Sequence, residues 1–165
     1  MFIVIFDEEK GKQFLKNTTM VSELIDLTAE EKELLFKAPV LVSLLAASGD
    51  HEINKKQKAD AIKLSHLKTF TAHPALIPYY REVEKNFGVY FEEAAQKYAP
   101  FTDEKREELK KEINTLDIVI KKLDKDFAMT LHVSLKGYAD HVRRADASFL
   151  EGFIFPIPIH GLTEL

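Results

Sequence analysis

Leu27-Thr28-Ala29-Glu30-Glu31-Lys32, continued by Leu34-Leu35-Phe36-Lys37-Ala38-Pro39-Val40-Leu41-Val42-Ser43-Leu44-Leu45-Ala46-Ala47, is the stretch that decides the fold. Thr28 can cap a helix through its hydroxyl. Glu31, three residues on, can reach back to the Thr28 amide, which is the reciprocal arrangement of a capping box. From Leu34 to Ala47 only Lys37 and Ser43 interrupt an apolar run. A helix that is apolar on every side belongs at the buried centre of its domain. Pro39 lies inside that run. It lacks an amide proton and crowds the carbonyl of Leu35, so the expectation is a bent or split helix.

Working outward, Ser48-Gly49-Asp50-His51 ends this helix, with Gly49 suited to a left-handed cap. Asn54 and Gln57 form a second capping box and open a helix that reaches about Phe70. Ala59, Ile62, Leu67 and Phe70 are its expected buried face. His73-Pro74 stops it. A third helix begins near Ile77-Pro78, with proline in the first turn. Tyr80, Val83, Phe87, Phe91, Ala94 and Tyr98 follow at steps of three and four, one helical face. Ala99-Pro100 ends it.

Thr102 caps a fourth helix whose Leu109, Ile113, Leu116, Ile120 and Leu123 alternate steps of four and three, the seam spacing of a bundle. Phe127, Leu131, Ser134, Tyr138 and Val142 nearly continue the phase. Ordinary helix lengths favour a turn near Asp124–Asp126 over one helix from 103 to about 144. Before residue 28, a short helix around Val21–Asp26 is expected. Met1-Phe2-Ile3-Val4-Ile5-Phe6 is apolar but only six residues long, and Asp7, Glu8 and Glu9 follow. It is too short for a spanning helix and lacks the basic start of a signal peptide, so a short strand or tucked-in extended segment is expected. Phe149-Leu150 and Phe153-Ile154-Phe155-Pro156-Ile157-Pro158-Ile159 form an apolar tail that two prolines keep out of helix. It is expected to be extended and packed on the bundle, or else to contact a partner.

Together these patterns predict an all-α, compact bundle of five or more helices, with an extended N-terminal segment and a proline-containing extended tail. The 165 residues are expected to form one domain, its helical core at about 28–146 and its tail at 149–165. With no cysteine, disulfides, thiol catalysis and cysteine zinc sites are excluded, and a reducing cytoplasm is the expected location. A formal net charge of −4 gives no reason to expect nucleic acid.

Catalytic motifs are sparse. A di-metal carboxylate bundle needs Glu-x-x-His, so that both ligands share a face. The residues three before the six histidines are Ser48, Lys63, Phe70, Met129, Tyr138 and Ile157, none of them glutamate. His132 and His141 share one helix but stand nine residues apart, on roughly opposite sides. A metal site there would draw its carboxylates from other helices. Asp140 fits better as an ion-pair partner of Arg143 and Arg144, three and four residues on. Asp50, His51 and Glu52 cluster in a turn, an oxygen-rich arrangement able to hold a divalent metal, but shorter than a calcium loop and better explained as a solvated helix connection. Lys55, Lys56, Lys58, Lys63 and Lys68 form a solvated face, without the arginines and stacking aromatics of a nucleic-acid reader. There is no Gly-rich phosphate loop and no Gly-x-Ser-x-Gly.

The segment Leu27–Lys32, the apolar helix through Leu44-Leu45-Ala46-Ala47, and Ser48-Gly49-Asp50-His51-Glu52-Ile53-Asn54 resemble TerB-like domains, the family named for tellurite-resistance proteins. The resemblance covers about residues 27–70. Asp50 matches its acidic position, Ile53 its apolar one and Asn54 its cap. His51 stands where glycine is usual, and Gln57 where glutamate is common. The resemblance implies a compact all-α fold and a non-enzymatic binding or scaffold role, with an acidic metal-binding surface at Asp50 and Glu52. Two alternatives stay open: a metal-dependent helical enzyme using His132 or His141, and a module that binds a protein partner through the tail at 149–159. No cofactor is otherwise expected, and no oligomeric state follows.

Overall fold

The structure is a computed structural model and describes residues 22–47 and 55–145. The segments 1–21, 48–54 and 146–165 lie outside the described residues. With them lie the expectations for the N-terminal segment, the Asp50 turn and the apolar tail. Among the described residues the architecture is all-helical, with no strand. A 3-10 turn, Ser22–Leu24, precedes α1 (Ala29–Ala47). Then come α2 (Lys55–Thr71), a second 3-10 turn at Pro74–Leu76, α3 (Ile77–Tyr98), α4 (Asp103–Ile120) and α5 (Lys125–Ala145).

The apolar run places α1 at the centre. Leu35 and every residue from Ala38 to Ala47 are buried, and α1 packs against all four other helices. Its capping box forms as the sequence predicts: the Thr28 amide donates to Glu31 Oε2 at 3.0 Å and the Glu31 amide to Thr28 Oγ1 at 3.2 Å. Lys122 pairs with the same Glu31 side chain from the end of α4 and holds its carboxyl below the usual carboxylate range.

Pro39 does not split α1. A proline inside a helix leaves the carbonyl four residues back without its donor, at a cost of about 3 kcal/mol or more. Here the Tyr79 hydroxyl of α3 donates to the Leu35 carbonyl at 2.8 Å, and the Ser43 hydroxyl donates to Pro39 O at 2.6 Å. Burial, reinforced by Tyr80 and Tyr138, raises the Tyr79 pKa far above its ordinary value and keeps it a donor.

The caps expected at Gly49 and at Asn54 with Gln57 rest on residues outside the described ones, while Thr102 acts as the sequence predicts. Thr102 Oγ1 accepts the Lys105 amide at 3.3 Å. The turn near Asp124 is real: its Oδ1 accepts the Asp126 and Phe127 amides at 3.0 and 3.1 Å and starts α5. The seam Leu109, Ile113, Leu116, Ile120 and Leu123 is buried, as are Phe127, Leu131, Tyr138 and Val142. At residues 22–24 a 3-10 turn stands where a short helix was expected.

The face of α2 is a correction. Ala59, Ile62, Leu67 and Phe70, expected inside, are all exposed, while Gln57, Ala61, Leu64, Ser65 and Thr69 are buried. Helical spacing tells which residues share a face, not which way that face turns. The small residues Ala61, Ser65 and Thr69 recur every fourth position and let neighbouring helices approach closely. Tyr138 of α5 reaches over Ala61 and donates to its carbonyl.

Candidate docking face

Two polar pairs fix how α2 lies on α3. Lys58 pairs with Glu92, and His66 Nδ1 lies 2.5 Å from Glu84 Oε1. Residues eight apart on α2 thus meet residues eight apart on α3 in reverse order, so the helices run antiparallel. Lys68, over the Tyr80 ring at 5.9 Å, fits the same register. Its stem is half-buried, and burial lowers its pKa. With the small face inward and these pairs along the α3 flank, the opposite face of α2 is left to solvent.

That face carries Ala59, Ile62, Leu67 and Phe70, with His66 at its α3 edge; Ile62 and Leu67, five residues apart, stand at its two sides with Lys63 between them. Ile62 is 39%, Leu67 41% and Phe70 67% exposed. The His66 ring meets Phe70 edge-on, centroids 5.4 Å apart. Lys55, Lys56 and Lys63 are exposed beside it. The other exposed large apolar residues are Ile25, Val89 and Ile118, with Met129 and Val133 one turn apart on α5. Scattered apolar residues are normal on a protein surface; three large ones on the outer half of one helix, interleaved with Lys63, concentrate apolar surface there.

The residues singled out from sequence do not gather at this face. Asp50 and Glu52 lie outside the described residues. His132 is buried on α5. Burial pulls its pKa down, Asp117 of α4 opposes this, and Lys136 adds to it. His141 is exposed on the same helix. Asp140 pairs with Arg143 at 3.1 Å, the surface ion pair its spacing predicts. Among the described residues no three His, Cys, Asp or Glu side chains converge as metal ligands would, and no helix is long and apolar enough to cross a membrane.

A second polar cluster joins α3 to α4. Tyr98 and Lys97 both donate to Glu112 Oε2, and Lys97 Nζ sits 4.8 Å from the Tyr98 ring centroid. Burial and the Glu112 carboxylate push the Tyr98 hydroxyl up to about 12. A phenol protonated this firmly serves as a donor to Glu112, which gives the cluster a clamping role at the α3–α4 connection. The outer face was not legible: Ala59, Ile62, Leu67 and Phe70 were expected inside and are exposed. The small inward residues every fourth position were the missed signal for its direction.

No family model, no curated protein and no solved structure matches the chain.

Proposed function

We propose that this chain is a non-enzymatic helical binding module of the TerB-like kind, docking an apolar polypeptide segment on the outer stripe of α2. One observation carries the reading: α2 turns Gln57, Ala61, Leu64, Ser65 and Thr69 inward and leaves Ile62, Leu67 and Phe70 exposed on its outer half. Leaving three large apolar groups in water forgoes about 25 cal/mol for each Å² that burial would cover, so an occupant is favoured. The lysines beside the stripe favour a segment with acidic flanks.

The test is a photo-crosslinker. Phe70 is replaced by p-benzoylphenylalanine in the producing cells, with the exposed position Glu107 on α4 as control. Adduct to a polypeptide segment is expected at position 70 and not at 107, and Ile62→Asp is expected to abolish it. The reading fails if both positions give equal adduct. It also fails if Phe70→Asp unfolds the bundle, which would mark Phe70 as core.

A further inference from the structure

We infer that the segment docking on the α2 stripe is this chain's own Phe149–Ile159; the inference rests on the stripe being a docking face. The argument is positional. Tyr138 of α5 bonds the Ala61 carbonyl of α2, and its ring lies 6.2 Å from Phe87 of α3, while Tyr80 of α3 meets Ser134. Rising numbers on α5 therefore follow rising numbers on α3 and, because α2 and α3 are antiparallel, falling numbers on α2. Seven residues beyond Tyr138, Ala145 ends α5 level with the first turn of α2, Lys55–Lys58. The chain leaves the described structure level with the first turn of α2, on the α5 side of that helix, one helix width from the exposed face.

Length and chemistry agree with that exit. From Ala59 to Phe70 the stripe spans about 16 Å at 1.5 Å per residue. Phe149–Ile159 covers up to ~33 Å when extended, and three residues, Asp146-Ala147-Ser148, link it to Ala145. Seven of its eleven residues are Phe, Leu or Ile. Pro156 and Pro158 lack amide protons, so a docked segment leaves fewer backbone donors without partners. Glu151, the one charge in the segment, falls early, toward the end of α2 where Lys55 and Lys56 stand. A second copy offers the stripe only another lysine-flanked face, with like charges opposed.

Two measurements on the purified full chain test this. With p-benzoylphenylalanine at position 70, irradiation is expected to give an adduct at monomer mass, mapping by mass spectrometry to residues 146–165, its yield independent of protein concentration. In limited proteolysis, Leu67→Asp/Phe70→Asp is expected to be cut within 146–165 at least tenfold faster than wild type, while the fragment through Ala145 persists. Adduct at dimer mass that rises with concentration would assign the stripe to a second copy and overturn the inference. So would equal cleavage rates. Adduct in cells to another polypeptide, with none to 146–165, overturns the tail assignment and leaves the docking reading standing. No adduct in either setting removes both.

Discussion

Helices α1 and α2 follow one another in the chain and place their apolar side chains in opposite ways. Helix α1 is apolar all round and every side of its C-terminal half is buried, so four neighbours wrap it. Helix α2 has two unequal faces: it buries Gln57, Ala61, Leu64, Ser65 and Thr69 and leaves Ile62, Leu67 and Phe70 exposed. The difference teaches where packing energy comes from in this bundle. Around α1 it comes from area removed from water. Along α2 it comes from close approach and hydrogen bonds: the Tyr138 hydroxyl on the Ala61 carbonyl, and the Lys58 and His66 pairs to α3. The apolar side chains of Ile62, Leu67 and Phe70 are thereby left exposed.

The contrast breaks first at α1. Leu44 is fully buried, and Leu44→Ala should cost about 2–5 kcal/mol through lost burial and the cavity it leaves. The thermal midpoint should fall by roughly 10 °C. A drop under about 2 °C would mean that α1 is not the centre of the fold. Next in size is Tyr79→Phe. It keeps the ring and removes the one hydroxyl bound to the Leu35 carbonyl freed by Pro39. An unsatisfied buried carbonyl costs about 1–3 kcal/mol. In Pro39→Ala/Tyr79→Phe the restored amide at 39 can serve Leu35 instead. The hydroxyl deletion should then cost less than in the Pro39 background. Equal costs in the two backgrounds would show that Tyr79 does not stand in for the missing helix bond.

Such pairings mark the boundary of what the residues alone disclose. Thr28 with Glu31, and Thr102, announce helix starts because their donors and acceptors lie within three residues of each other. The core face of α3 was readable because its inward positions Tyr80, Val83, Phe87 and Phe91 are also its largest. On α2 size and direction part company. The choice of face depends on what Tyr138, Glu84 and Glu92 offer from helices distant in sequence, and no local pattern carries that. The exposed face of α2 was hidden for the same reason: Ile62, Leu67 and Phe70 were expected inside and stand outside.

A pH series sharpens the comparison at α5, which buries a titratable group. Because burial depresses the His132 pKa below 6.5, the unfolded chain takes up the proton at higher pH than the folded one. The contribution of neutral His132 is complete above about pH 6.5. It is lost as pH falls from there toward the folded-state pKa. Urea unfolding from pH 7.5 to 5 should show stability declining more steeply in wild type than in His132→Gln. Identical slopes would place His132 in a water-like setting. At the exposed position Gly88 of α3, only backbone preference is at stake. No atom lies within 4 Å of an added methyl group, so Gly88→Ala should stabilise by about 0.5–1 kcal/mol. A loss of stability there would show that something packs on that side of α3.

The smallest expected effect is the most telling, because it repeats the first substitution one helix later. Leu67→Ala removes the same atoms as Leu44→Ala, from a side chain 41% exposed on the α2 stripe. The bundle loses little buried area and no cavity forms, so the change should stay within about 0.5 kcal/mol. Alanine's slightly better helix propensity offsets part of even that. A cost near 2 kcal/mol would mean that Leu67 packs as core, and the stripe would then belong to the bundle's own interior. A near-zero cost, combined with faster cleavage of residues 146–165 in the same variant, separates the two uses of leucine. That outcome would assign Leu44 to holding the bundle together and Leu67 to the proposed contact with the tail.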